Sequence, residues 1–312
     1  MLSNAPFACP PELMQLAAGG APIPAAVVDA GGPLAVESTR MAQEAGLIDP
    51  YLVGDEAMVR ALAERAGWDL HGVRIIDAAG ESRIADQATA LAREGKVDLL
   101  IKGQIHTDTL MRAVLKRDAG LRLRRRISHV FHMTIPGRPG SLCITDAVVN
   151  VAPDVDTRMD IVRNAVGLMH ALGKDEPHVA VLSATEQVND GVPSSVEADE
   201  VRRRAEAGQV KGARVYGPLA MDNVLSPDAA RIKGINSPVA GDADVVLVPN
   251  VEAGNALYKL MVYLMSATAA GVVLGTRIPI VLTSRADPPE ARLASVAIAT
   301  VAARRTGAAA KN

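Results

Sequence analysis

Short runs of β-branched and aliphatic residues alternate along the chain with longer segments whose apolar positions recur at helical spacing. The runs at 25–28, 51–53, 73–77, 97–102, 127–133, 142–150, 178–183, 213–216, 244–248, 271–274 and 278–283 are expected as strands. Helices are expected over 33–45, 55–65, 82–93, 107–116, 156–171, 194–207, 222–231, 252–269 and 288–304. Many of these helices open on an acid or a hydroxyl, as capping requires. Such alternation predicts an α/β fold with a mostly parallel sheet covered on both faces.

Pro136-Gly137-Arg138-Pro139-Gly140 interrupts the rhythm by separating two strands without a helix, so a hairpin or a domain crossing is expected there. A second crossing is expected at 275–278. The expected organisation is a discontinuous first α/β/α domain (1–135 plus 276–312) and an inserted second domain (136–275).

Composition narrows the function. Of 312 residues, hydrophobic types make up 49% and charged types 22%, as in ordinary globular proteins, while aromatics are only 2%. The core must therefore rest on Ala, Val, Leu, Ile and Met. A net charge of −2 gives no electrostatic footprint for nucleic acid. Two widely spaced cysteines, Cys9 and Cys143, do not form a disulfide framework, which fits a reducing cytoplasm. No secretory signal is expected from the first residues. The apolar stretch 260–275 is too short and too diluted with small and polar residues for a membrane span.

Phosphate and dinucleotide loops of the GxxxxGK[ST] and GxGxxG types are absent, as is a GxSxG elbow, and no His/Cys/carboxylate cluster has structural zinc spacing. What remains is polar strand ends, where open α/β sheets bind ligands. In Ile101-Lys102-Gly103-Gln104-Ile105-His106-Thr107 a lysine and a glycine lead into a helix start, a pattern that suits an anion; the plainer reading is a Thr107 cap and a surface lysine. Gly254, Asn255, Tyr258 and Lys259 follow another strand, and again a capped helix explains them as well. In Ile280-Val281-Leu282-Thr283-Ser284-Arg285-Ala286-Asp287-Pro288-Pro289-Glu290, Asp287 reads as an N-cap with proline at N1 and Glu290 at N3. Ser284 and Arg285 precede the cap, where arginine can grip phosphate and serine can donate to developing charge. Spacing alone reaches no further than an anion-binding α/β enzyme.

Longer motifs go further. Gly217-Pro218-Leu219-Ala220-Met221-Asp222-Asn223, Lys233-Gly234-Ile235-Asn236-Ser237-Pro238-Val239-Ala240-Gly241, Glu252-Ala253-Gly254-Asn255, Tyr258-Lys259 and Leu282-Thr283-Ser284-Arg285-Ala286-Asp287 together resemble the phosphate acetyl/butyryltransferase family, the last wording being closest to the butyryl branch. The resemblance covers most of the chain from about residue 98 onward. It implies two α/β/α domains with a cleft, similar to isocitrate and isopropylmalate dehydrogenases, and a homodimer. It implies the reaction acyl-CoA + phosphate ⇌ acyl phosphate + CoA, with coenzyme A as substrate and no metal or redox cofactor.

On the same resemblance Arg285 would hold the phosphoryl group and Ser284 would bond the carbonyl or leaving phosphate. Acetyl-type members carry an acid seven residues after the serine, where this chain has Ala291, so Asp287 and Glu290 are the substitute bases for the thiol. Lys102, Gln104, Thr107, Arg112, Arg126 and Ser128 are further substrate-binding candidates, with Arg124–Arg126 and Arg112 as candidate partners of the CoA phosphates. A decarboxylating dehydrogenase of the same fold and a non-catalytic CoA- or acyl-phosphate-binding protein are the alternatives.

Overall fold

The computed structural model describes residues 5–284 and 287–310. In chain order the elements are α1 (Pro11–Ala18), β1 (Ile23–Val28), α2 (Pro33–Glu44), β2 (Ile48–Gly54), α3 (Glu56–Arg65), β3 (Arg74–Asp77), α4 (Glu81–Arg93), β4 (Leu99–Lys102), α5 (Thr107–Leu115), β5 (Ser128–Thr134), β6 (Leu142–Thr145), α6 (Val155–Ala171), β7 (His178–Leu182), α7 (Pro193–Arg204), β8 (Arg214–Leu219), α8 (Met221–Leu225), α9 (Pro227–Ile232), β9 (Val245–Leu247), α10 (Val251–Met265), β10 (Thr268–Leu274), β11 (Ile280–Val281) and α11 (Pro289–Ala310). The chain divides into two compact units. One comprises residues 7–125 and 270–312, the other residues 126–269 with Ala5 and Pro6. The hairpin of β5 and β6 lies wholly inside the unit of residues 126–269.

In the unit of residues 7–125 and 270–312 the strand order is β3-β2-β1-β4-β11-β10. β1 runs parallel to β2 and β4, β2 to β3 and β4 to β11; β10 is antiparallel to β11. Ala25 to Val28 of β1 and Leu99 to Ile101 of β4 are all buried, as expected for strands covered on both faces. Edge strand β3 carries charge at both ends, and its Arg74 pairs with Asp49 across to β2. The chain steps from β1 outward to β2 and β3, then returns on the other side of β1 with β4. The strand order therefore reverses between β1 and β4, and the crevice beyond their carboxyl ends is the place an open sheet offers a ligand.

In the unit of residues 126–269 the order is β5-β6-β9-β7-β8, with β5 antiparallel to β6 and the rest parallel. Its core joins Ile144, Leu182, Leu219, Val246 and Met261. Gly254 of α10 is required by packing: a Cβ there would lie 2.8 Å from the Cβ of Ala147.

Several elements differ from the sequence expectation. The N-terminal helix α1 was not expected; it packs on α11. The strand expected over 142–150 ends at Thr145, because the buried Asp146 carboxylate accepts N–H bonds from Val148, Val149 and Asn150 and turns the chain away. The helix expected over 222–231 is two, since Ser226 caps a new start at Pro227. The helix expected to run to 269 stops at Met265, with Ser266 in the left-handed region, and the freed residues extend β10.

Candidate active site

At the switch point two loops approach so closely that one residue type fits. Gly103 N–H donates to the Val28 carbonyl at 2.9 Å and Gln104 N–H to the Asp29 carbonyl at 2.8 Å. A Cβ on Gly103 would sit 2.1 Å from the Asp29 oxygen. Asp29 itself holds φ of 64°, a conformation rare for residues other than glycine and concentrated at functional sites. Burial pushes its carboxyl up, with a Gly31 N–H and the Lys102 charge opposing.

A pocket of about 520 Å³, counting solvent in its open mouth, lies at these strand ends. Its polar lining is Lys102 and Gln104 after β4, Thr283 and Ser284 after β11, Ser38 and Thr39 of α2 and Arg292 of α11. Both helices begin here, and the start of a helix carries partial positive charge. With two cationic side chains the pocket suits an anion.

The turn leading into α11 is tied by backbone and side-chain bonds, among them Asp287 N–H to the Ser284 carbonyl at 3.2 Å. Ser284 N–H donates to Asp287 Oδ2 at 2.6 Å. Arg292 Nε donates to the Asp287 carbonyl at 3.0 Å, and its Nη2 to the Ser284 carbonyl at 2.9 Å. Arg292 is 6% exposed, so it is a structural clamp and a pocket wall together. α11 begins at Pro289, so Pro288, not Asp287, occupies the cap position, and the Asp287 carboxylate reaches backward to Ser284. Burial raises the Asp287 pKa, against the Ser284 N–H, Arg292 and Lys102, which all lower it. A carboxylate poised this way accepts a proton more readily than an ordinary aspartate.

Of the residues singled out from sequence, the pocket gathers Lys102, Gln104 and Ser284, with Asp287 bonded to Ser284. Arg285 lies outside the described residues. Glu290 is in the first turn of α11. Thr107 and Arg112 of α5 do not line the pocket; Thr107 is not a cap, since His106 precedes the helix with its Nδ1 2.6 Å from Glu81 Oε1. In the other unit Arg126 is exposed and Ser128 is fully buried, its hydroxyl accepting from Asn164 at 2.9 Å. Gly254, Asn255, Tyr258 and Lys259 all belong to α10, whose true cap is Asn250; the Tyr258 ring stacks on Phe131 at 4.1 Å. Sequence reasoning missed Asp29, Thr283, Ser38 and Arg292. The first had a signal, because Asp29-Ala30-Gly31-Gly32-Pro33 is itself a strand end followed by glycines and a proline-started helix.

The family described as "Phosphate acetyl/butaryl transferase" matches residues 84–300. The chain belongs to this family of acyltransferases. It is 51% identical to a phosphate acetyltransferase of Rhizobium meliloti, over 86% of this chain and 85% of the relative. A phosphate butyryltransferase of Clostridium acetobutylicum is 37% identical over 86% and 89%. Among solved structures, a branched-chain phosphotransacylase from Enterococcus faecalis superposes with a TM-score of 0.79 at 30% identity, covering 90% of this chain and 99% of that one. The family's names thus span acetyl and longer acyl groups. Among the described residues no helix is long and apolar enough to cross a membrane, and no group of three or more His, Cys, Asp or Glu could hold a metal.

Proposed function

We propose that the chain transfers a short acyl group between coenzyme A and phosphate by direct attack within a ternary complex. The observation that carries this reading is the convergence of Lys102, Ser284 and Arg292 on one pocket, with a carboxylate of raised pKa bonded to the serine's backbone. In the acyl-CoA-forming direction the CoA thiol, with pKa of about 8.5, is largely protonated at neutral pH and gains from a base. Asp287 accepts that proton. The thiolate attacks the acyl carbonyl, a C–S bond forms, the C–O bond to phosphate breaks, and phosphate leaves with the electron pair. Ser284 donates to the oxygen that gains charge. Lys102, together with Arg285, offsets the charge on the phosphate. In the reverse direction a phosphate oxygen attacks the thioester and Asp287 returns the proton to the departing sulfur.

A covalent acyl-cysteine route has little support. Burial pushes the Cys143 thiol up to about 12 and the Cys9 thiol up to about 11, so neither is a thiolate at neutral pH. This transfer needs no electron carrier, and the charges it develops match the pocket's cations. A homodimer in the cytoplasm is part of the proposal. Leu260, Tyr263 and Leu264 of α10 are 50%, 60% and 40% exposed, an apolar face suited to a second copy.

The test is CoA release from acetyl-, propionyl- and butyryl-CoA, followed by thiol colour with and without phosphate. Release that requires phosphate is the expected outcome. Phosphate-independent release would make the protein a thioesterase, and no release from folded protein would favour a binding role.

A further inference from the structure

We propose that Val27, Ile101 and Val296 form the floor on which the acyl chain lies, and that this floor with Ala35 sets acyl-chain length and rejects charged tails. This inference rests on the transferase reading and assigns its pocket a polarity. Val27 and Ile101 are register partners on β1 and β4, one rung below the Val28–Lys102 rung. Val296 lies one helical turn beyond Arg292, and both line the pocket. Lys102 and Arg292 thus share one lining with these three buried apolar residues.

The three floor residues are 1%, 7% and 3% exposed, so they belong to the core and move little. Ala35 and Thr39, one turn apart on α2, complete the wall, and the Thr39 hydroxyl already donates to the Ala35 carbonyl at 2.6 Å. Among the described lining residues charge is confined to Lys102 and Arg292.

An acyl phosphate has the same two-ended chemistry. Its phosphoryl group seeks cations and its tail is hydrocarbon. Seated with phosphate at the mouth, it places the carbonyl at the boundary between the two, the level of Ser284. An acyl group ending in a second carboxylate would bury that charge against valine and isoleucine with no partner, which is prohibitive. The substrates this floor accepts are short, uncharged aliphatic acyl groups. Ala35 is the position where added side-chain volume would shorten the accepted chain.

The experiment measures kcat/KM for acetyl-, butyryl-, hexanoyl- and succinyl-CoA with saturating phosphate, in the wild type, Val296→Ala and Ala35→Leu. A methylene in an apolar pocket discriminates by roughly 10-fold or more. Val296→Ala should raise the hexanoyl-to-acetyl ratio by about that factor, and Ala35→Leu should lower the butyryl-to-acetyl ratio by at least as much. The KM for phosphate should stay at the wild-type value in both, and succinyl-CoA should remain the poorest substrate. Ala35 is half-exposed on α2, so its variant keeps the test open if Val296→Ala fails to fold. Wild-type ratios in a folded variant, or efficient turnover of succinyl-CoA, would overturn the floor while leaving the transferase intact. Absence of phosphate-dependent release from the wild type would overturn both.

Discussion

The Asp287 carboxylate accepts the backbone N–H of Ser284 at 2.6 Å, so the candidate base and the candidate oxyanion donor are parts of one turn. Because burial raises the Asp287 pKa, its folded value lies above its unfolded one. The folded state then binds more protons, and stability falls as pH rises from the ordinary carboxylate value through the raised one. Asp287→Asn keeps the acceptor oxygen and removes this penalty. At neutral pH the variant should melt at the wild-type temperature or higher, while kcat falls about 10²- to 10⁴-fold. A melting temperature well below wild type, or unchanged turnover, would contradict the assignment.

Arg292 joins the two ends of the same turn through the carbonyls of Ser284 and Asp287. Hydrogen bonds to a charged donor contribute about 1.5–3 kcal/mol each. Arg292→Ala should lower the unfolding free energy by at least about 2 kcal/mol and reduce kcat. Arg292→Lys should recover part of the stability and less of the activity, since one ammonium cannot reproduce the guanidinium's fork. Chemical denaturation alongside steady-state kinetics checks both.

Gly103 meets the Asp29 backbone too closely for a side chain. Gly103→Ala should destabilise by at least about 3 kcal/mol and abolish activity through displacement of Lys102. Gly167 of α6 provides the control: a Cβ there meets nothing within 4 Å. Gly167→Ala should be neutral or stabilising by up to roughly 1 kcal/mol. Equal melting temperatures for the two variants would remove the close-approach argument.

His129 and His132 lie buried in β5, and burial pushes both down to about 4. Unfolded histidine takes up its proton near pH 6.5. The unfolded state therefore binds more protons between those values, and stability present at neutral pH is lost as pH falls from about 6.5 towards 4. Urea denaturation across that range should show a shallower decline in a His129→Phe/His132→Leu variant than in the wild type. Parallel profiles would mean that the carboxylates alone account for acid sensitivity.

Much of this was legible in the chain. The α/β alternation, Lys102-Gly103-Gln104 and the Ser284 turn stand out because strands buried on both faces leave polar residues only where they end. Asp29 carried a local signal in the glycines and proline that follow it, but the close approach of Gly103 and Gln104 after β4 is not local in sequence. Arg292 escaped for a related reason: on a helix it reads as an ordinary surface cation, and only the fold of the preceding turn brings two carbonyls within its reach. The early end of β6 at Thr145 was hidden because Asp146, a single acid inside an apolar run, outcompetes the sheet for three N–H groups.

Direct transfer in a ternary complex is tested most directly by initial rates of acetyl-CoA formation, with acetyl phosphate and CoA varied together. Double-reciprocal lines that intersect, from protein first treated with a thiol reagent and desalted, are the expected result. Parallel lines, or loss of activity on alkylation, would contradict direct transfer in favour of an acyl-enzyme, and absence of acetyl-CoA would contradict the activity itself.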